Sequence, residues 1–430
     1  MSRYKPIDSS LFSKNRKKLY QKISDPAIIV LFSAPLRNRS GDQYFPYRQN
    51  SDFFYLSGIE QENSILVFCP QHPDENFRET LFIPKPDEKT RIWQGDSIND
   101  EKAFEVSGIK NIKNIEDFNS YIKHLICFTN NVFISETANI KTDEGFEIQG
   151  LYLQKQFIED NSYLTFHNLD PFLKDLRLVK ENEEINLIKY ACRITSDAFT
   201  NLCKIVKPNI YEYEVEASIT HTFLSKGAAG HAYPSIVASG INACVLHYNN
   251  NSSLMKNGDL LLLDFGAEYA NYAADCSRTI PVNGRFTERQ LNLYNLVLSV
   301  FEKVKPEFKP GNTINKLNEI AGMLMQEELL RIGLISKQDV ETQDEKTPAY
   351  KKYFMHGLTH FLGLDVHDLG DKDAEFVPGM VLTCEPGIYI PNENIGIRLE
   401  NDILIGENDP IDLMENIPIY PEEIEDLMNS

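Results

Sequence analysis

Five side chains able to hold a hard cation stand in distinctive settings in this 430-residue chain: Asp264, Asp275, His360, Glu385 and Glu400. The first two frame the run Leu260-Leu-Leu-Leu-Asp264-Phe-Gly-Ala-Glu-Tyr-Ala-Asn-Tyr-Ala-Ala-Asp275. Four apolar residues ending in an aspartate, a Gly-containing reversal and a second segment with its own aspartate predict two paired strands. Continuous apolar runs suit strands covered on both faces. A carboxylate at the end of a buried run is costly unless a cation meets it, and two of them sharpen that demand. An aspartate just past a strand is more commonly a turn or cap residue. The case for a metal therefore rests on whether the rest of the chain supplies matching ligands.

It does. His360 lies in His356-Gly-Leu-Thr-His360-Phe-Leu-Gly-Leu-Asp-Val-His367-Asp, and Glu385 in Leu382-Thr-Cys-Glu385-Pro-Gly-Ile-Tyr389. Glu400 follows Arg398 by two residues, so on a strand both would project to the same face. Four carboxylates and one imidazole make an oxygen-rich set that suits Mn²⁺ or a similar divalent ion better than a thiolate-type zinc site. Four negative charges exceed what one dication gathers. Two ions about 3.5–4 Å apart, sharing carboxylates and a bridging hydroxide, balance them better and would also polarise a carbonyl. His247, His356 and His367 are candidates to donate to a substrate or to a developing oxyanion, or to pass protons near neutral pH. A lone histidine beside apolar residues is more commonly a satisfied core group; three in motif-like settings around five ligands favour function. His72, His124, His167, His221 and His231 have no such setting.

The elements that must position these groups divide into two regions. In the first third, Leu11–Ile23 has the spacing of an amphipathic helix. The segments 27–33, 64–68, 80–83 and 132–134 predict strands, together a compact α/β domain. Asn50-Ser-Asp-Phe-Phe-Tyr-Leu-Ser-Gly58 carries three aromatics expected chiefly in the core, with a substrate wall or subunit contact as alternatives. Trp93, the only tryptophan, sits in the polar Arg91-Ile-Trp93-Gln-Gly-Asp, a setting suited to an interface or a ligand wall as much as to packing. The texture changes after Asn168-Leu-Asp-Pro171, which places a domain boundary near residue 172 (1–172 and 173–430). Beyond it, helical patterns run from the Leu176–Ile185 segment through about Lys204, over Glu212–Lys226 ending at Gly227, and over roughly Glu288–Lys305 and Thr313–Ile332. Ser336–Lys351 reads as an exposed polar loop, and short strands with tight turns fill the chain from Tyr353 to its end.

Composition narrows the function classes. Hydrophobic residues make up 42% and charged residues 25%, the balance of a globular protein with a large core. A formal charge of −20 argues against nucleic acid and anionic membrane surfaces as partners. The N-terminal residues lack the apolar core of a secretory signal, and no run approaches the roughly 20 apolar residues of a membrane span. Seven cysteines, with no CxxC pair, fit reduced thiols in a cytoplasmic protein.

With these residues in place the chain resembles the pita-bread metallopeptidases, the group of methionine aminopeptidases, prolidases and Xaa-Pro aminopeptidases, and is most similar to the Xaa-Pro (aminopeptidase P) branch. The five-ligand set carries the resemblance, together with Asp52-Phe-Phe-Tyr-Leu-Ser-Gly58, Trp93-Gln-Gly, Leu178-Val-Lys-Glu-Asn-Glu-Glu-Ile185 and the His356–Asp368 and Glu385–Tyr389 segments. It covers nearly the whole chain. The resemblance implies an α/β (α+β) fold with a creatinase-like N-terminal domain and a pita-bread catalytic domain. It implies two divalent ions, most simply Mn²⁺, held by Asp264, Asp275, His360, Glu385 and Glu400, with Glu385 also orienting or deprotonating the bridging water. His247 and His367 match substrate-contacting histidines. His356, Tyr389 and Arg398 match positions lining the proline-accepting site, and Trp93 a residue that helps wall the site, sometimes from a neighbouring subunit. Two segments depart from the family pattern. Glu181-Asn182 replaces the Ser-Pro that commonly opens the catalytic helix, and Gly227-Ala-Ala-Gly-His-Ala-Tyr-Pro-Ser-Ile-Val237 differs from the commoner form.

The implied activity is hydrolysis of the bond between an N-terminal residue and a penultimate proline, by a cytoplasmic homodimer or homotetramer. A prolidase confined to Xaa-Pro dipeptides and a non-catalytic peptide-binding module are the rival readings. A methionine aminopeptidase would have no use for the large N-terminal domain.

Overall fold

The computed structural model describes residues 3–85, 91–93, 95, 97–135, 150–344 and 347–430. Gln94 and Asp96 of the Trp93 motif, and residues 345–346 of the polar 336–351 segment, lie outside them. The chain forms two compact units, one of Lys5–Arg177 and one of Leu178–Ser430 that also takes in Tyr4.

The first unit is built on a six-stranded mixed sheet in the order Asn111–Asn114, Glu79–Ile83, Ile65–Phe68, Ile28–Phe32, Asn131–Ile134, Thr165–Asn168. All four strands expected from sequence here are present. The first helix runs Ser9–Lys22, with the Asp8 side chain accepting from Ser10 N–H at its start. Asn50 caps a short helix, Ser51–Ser57, in which Phe53, Phe54 and Tyr55 are fully buried. This aromatic cluster is core, so it offers no subunit contact. Arg16 is buried yet satisfied by the Leu56 and Ser107 carbonyls and by Glu79, as a charge withdrawn from water must be. Trp93 is 80% exposed and its neighbour Ile92 76%.

The second unit packs long helices around small antiparallel sheets. Ile236–Ser239, Leu260–Asp264 and Ser277–Pro281 form one sheet, with Asp264 opposite Ser277. Leu260–Leu263 are at most 1% exposed, each contributing about 1.5–3 kcal/mol on the transfer scale. The two aspartates do not simply end two paired strands. Asp275 lies just ahead of the Ser277–Pro281 strand, and the residues between it and Asp264 fold into Ala267–Tyr269 and Tyr272–Ala273, which join a separate sheet with Gly230–His231. Gly266 makes this detour possible, since a Cβ there would stand 1.7 Å from the Ala274 carbonyl oxygen. Val381–Cys384 pairs with Asn401–Ile405, and Gly387–Ile390 with Ile395–Arg398.

The main helices are Asn182–Cys203, Glu212–Ser225, Glu288–Val304 and Ile314–Arg331. Glu184 accepts from the Glu181 N–H at the first helix's start, so an acidic pair does the capping that Ser-Pro does elsewhere. Gly227, at φ +87°, closes the second. Two expectations are corrected. The 336–351 segment is not simply a loop: Ser336 and Asp339 cap a short helix, Lys337–Glu341, and Tyr350 packs over Gly322. The chain ends not in strands but in a helix, Pro421–Met428, with proline at its first turn and Glu422 and Glu423 beside it, a normal N-terminal composition.

Candidate active site

Nine of the residues singled out in the sequence come together in the second unit. Asp264, Asp275, His247, His356, His360, His367, Glu385, Arg398 and Glu400 line one cavity of about 340 Å³. Their placement follows from strand pairing. Glu400 N–H donates to the Ser277 carbonyl, Glu385 N–H to Leu358 and Thr383 N–H to His360. The Ser277–Pro281 strand, the paired Val381–Cys384 and Asn401–Ile405 strands and the irregular 358–360 segment are thereby brought together.

Ligand-capable atoms of Asp275, His360 and Glu400 lie within 4.8 Å of one another. His360 Nδ1 bonds the Phe361 carbonyl at 3.0 Å, which assigns the proton to that nitrogen and aims Nε2 inward. Nε2 stands 3.4 Å from Asp275 Oδ2 and 3.8 Å from Glu385 Oε1. Burial opposes the imidazolium, but the Asp275 hydrogen bond and the charges of Glu385 and Asp275 outweigh it and push His360 up to about 9. The carboxylates are strained in the opposite sense. Burial lifts Glu385 to about 7 despite His360 and Arg398, and lifts Asp264 despite Arg398. Glu400 rises well above its ordinary range through burial and the neighbouring carboxylates Asp275, Glu385 and Asp264. Groups that are all made unhappy by one another's negative charge fit a site whose natural complement is a divalent cation.

A second layer of bonds orients the carboxylates, and part of it was missed from sequence. Tyr233 Oη lies 2.6 Å from Asp264 Oδ1 and 2.5 Å from Asp275 Oδ1. Its single proton is therefore held between two acceptors. Ser277 Oγ donates to Glu400 Oε2 at 2.7 Å and accepts from Arg398 Nε at 2.8 Å. Ser277 follows Asp275 by two residues, which was a usable sign that both face the same side. Tyr233 had only the unusual 227–237 segment to mark it.

Arg398 Nη2 reaches Asp264 Oδ2, and Nη1 donates to Tyr389 Oη at 2.8 Å. The phenol continues to His356 Nε2 at 2.8 Å, while His356 Nδ1 lies 2.7 Å from the Gly357 carbonyl. With Nδ1 donating, Nε2 accepts, so His356 is fixed as the neutral tautomer. Burial, reinforced by the Arg398 charge, lowers its pKa to about 3. His367 packs edge-on against His360 at 4.4 Å between ring centroids, and burial and His360 lower its pKa too. Trp93 belongs to the Lys5–Arg177 unit.

Residues 186–407 match metallopeptidase family M24, and residues 12–133 match the N-terminal domain of aminopeptidase P. The chain belongs to metallopeptidase family M24. It is 34% identical over 435 residues to the Xaa-Pro aminopeptidase of Escherichia coli K12, covering 98% of each chain. Among solved structures it is similar to Escherichia coli aminopeptidase P with the inhibitor Pro-Leu, at a TM-score of 0.87 and 33% identity over 99% of both chains. It is similar also to Pseudomonas aeruginosa aminopeptidase PepP, at a TM-score of 0.89 and 31% identity over 99% of this chain and 98% of that one. The resemblance and the two-part fold expected from sequence agree with these findings, and as an M24 metallopeptidase the chain is one that works with divalent metal ions.

Proposed function

We propose that this M24 enzyme removes the N-terminal residue from peptides whose second residue is proline. The observation that carries the reading is the meeting of Asp275, His360 and Glu400 in a cavity that Asp264, Glu385 and three further histidines also line. Asp264, Asp275, His360, Glu385 and Glu400 are the proposed ligands of two divalent ions, with Mn²⁺ favoured by the oxygen-rich set. Bound there, such ions acidify water and polarise the scissile carbonyl.

The protein groups around them have separable tasks. Glu385, which faces the same cavity as the other ligands, is assigned the task of orienting the attacking water and accepting its proton. His247 and His367 are placed at the cavity wall to donate to the oxyanion that develops at the carbonyl. Neutral His356, with Tyr389 and Arg398 behind it, forms a rigid wall for the proline ring. The imide nitrogen before proline carries no N–H, so a strand-like substrate offers one ladder bond fewer and a shaped pocket gains importance.

Assembly is proposed as a homodimer or homotetramer, on the exposure of Trp93 and Ile92, with Trp93 as a substrate-wall residue. A monomeric mass by light scattering with undiminished activity opposes it. A cytoplasmic setting is supported by seven free cysteines, and a lack of nucleic-acid or membrane partners by the −20 charge. Among the described residues no helix is long and apolar enough to cross a membrane.

The test is an assay of an Xaa-Pro-Xaa tripeptide beside an Xaa-Pro dipeptide, run across several divalent ions with bound metal measured. Tripeptide cleavage dependent on metal is expected. Cleavage of dipeptides alone makes the chain a prolidase, and folded protein that binds no metal and turns over neither makes it a peptide-binding module.

A further inference from the structure

Glu212 is fully buried, yet it takes no part in the cavity just described. It opens the Glu212–Ser225 helix. Its Oε1 accepts from Ser239 N–H at 2.8 Å, from Ser239 Oγ at 2.7 Å and from Asn242 Nδ2 at 3.1 Å. Its Oε2 accepts from Tyr248 Oη and from Ser253 N–H, both at 2.8 Å. Every one of these donors belongs to residues 239–253, the segment that presents His247 to the cavity. The carboxylate grips that segment at its start, its middle and its end.

The grip adds directional bonds to a segment otherwise held by the packing of Cys244, Leu246 and Tyr248 against the buried cluster around Ile236, Ala238 and Leu262. Residues 245–253 form no helix or strand, so regular backbone pairing does not fix the position of His247. Asn251 adds a second hold: its side chain accepts from Val237 N–H and donates to the Ser235 carbonyl and to Glu216. It does so at φ +44°, a left-handed conformation that asparagine tolerates better than most residues. Glu216 lies one helical turn after Glu212, so one bond of this second hold comes from the same helix face, and the other two come from residues 235–237. A carboxylate at a helix N-terminus is ordinarily a solvated partner of the dipole. Here it is dry and filled by five donors, which ties the loop to a rigid element rather than to solvent.

We propose that Glu212 is a positioning residue for the reaction, holding the 239–253 segment so that the His247 imidazole meets the substrate. The proposal rests on the peptidase reading for the role of His247, and it concerns a residue outside the metal cluster.

Glu212→Gln keeps the shape but replaces one acceptor oxygen by a donor amide, which two or more of the five donors then face. The expected result is a fall in kcat on an Xaa-Pro-Xaa tripeptide of about 10²-fold, the order a displacement of about 1 Å produces, with bound metal unchanged. In a double-mutant cycle, Glu212→Gln combined with His247→Ala should be no slower than His247→Ala alone. Losses that multiply, or a variant with lowered Tm and parental kcat per folded molecule, overturn the proposal. Should Glu212→Gln fail to fold, Tyr248→Phe removes a single donor and should show a smaller kcat loss that likewise vanishes in the His247→Ala background. The His247 ring resonance, assigned by its absence from His247→Ala, gives a readout independent of turnover. It should shift or broaden in Glu212→Gln or Tyr248→Phe, and an unchanged resonance sinks the positioning role even if the parent cleaves no proline peptide.

Discussion

Arg398 Nη2 lies 2.6 Å from Asp264 Oδ2, with the Arg398 side chain 5% and the Asp264 side chain 14% exposed. The pair is one corner of a three-armed contact, since the same guanidinium donates to Ser277 Oγ and to Tyr389 Oη. Both carboxylate-orienting and histidine-orienting bonds therefore pass through one planar group.

Arg398→Lys tests that dependence. A lysine keeps the charge but cannot reach three acceptors in a fixed plane. Losing one or two charge-assisted bonds, each about 1.5–3 kcal/mol, predicts a drop in kcat/KM of about 10- to 10⁴-fold. Because Arg398 also orients Asp264, the loss should persist at saturating metal, with bound metal measured by elemental analysis beside the tripeptide assay. Parental kcat/KM in this variant means the three-armed contact is dispensable.

Tyr233→Phe removes the phenol that bridges Asp264 and Asp275 without opening a cavity of any size. Groups that orient metal ligands typically affect metal affinity by about 10- to 100-fold when removed. The metal Kd, read by competition with a chromogenic chelator, should weaken within that range while Tm of the metal-loaded protein changes little. An unaltered Kd shows that the two aspartates hold their geometry without the phenol.

How much of this was legible in the sequence differs from residue to residue for physical reasons. Asp264, Asp275, His360, Glu385 and Glu400 each sit in a short string whose composition is odd for packing, so each could be found locally. Tyr233 could not, because its role arises only when Asp264 and Asp275 are brought to the same point from opposite sides of the Ala267–Ala273 detour. Glu212 was hidden for a different reason: glutamate in a first helical turn has an ordinary explanation, and its burial depends on a loop that follows some thirty residues later. The buried strands and long helices were read well because periodicity reports burial directly. Pro421, Glu422 and Glu423 announce the Pro421–Met428 helix, but the turn-rich residues before it dominate the pattern of that stretch.

Stability of the chelated protein should fall as pH rises from about 6.5 to 9. In the folded state His360 is raised from 6.5 to about 9, which spans this window, and Glu385 from 4.5 to about 7, which adds a loss of the same sign only up to about pH 7. Over this window the folded protein holds more protons than the unfolded chain, so unfolding becomes easier with increasing pH. His356 acts in the reverse direction, but its pKa is lowered from 6.5 to about 3, and its influence is complete below pH 6.5. Metal binding displaces the same protons. Differential scanning fluorimetry should therefore show a larger Mn²⁺-induced rise in Tm at pH 8.5 than at pH 6. Equal shifts at both values mean the cluster does not exchange protons for metal.

Gly266→Ala tests whether the detour between the two aspartates sets their separation. The new Cβ would meet the Ala274 carbonyl oxygen at 1.7 Å and its carbon at 2.5 Å. Neither is a flexible chain end. Relief by moving the 274–275 backbone is opposed by its bonds, since Ala273 N–H donates to Gly363 and Ala274 N–H to Ala267, while Asp275 N–H donates to Asp402. Overpacking of this kind costs about 1–3 kcal/mol where the surroundings can yield. Here the part that yields carries Asp275, so metal affinity should suffer more than the fold. Expected are a far-UV spectrum like the parent's, a lowered Tm, and Mn²⁺ affinity reduced by about tenfold or more. A variant that keeps parental metal affinity would show that Asp264 and Asp275 are held in place by Tyr233 and Arg398 rather than by the backbone between them.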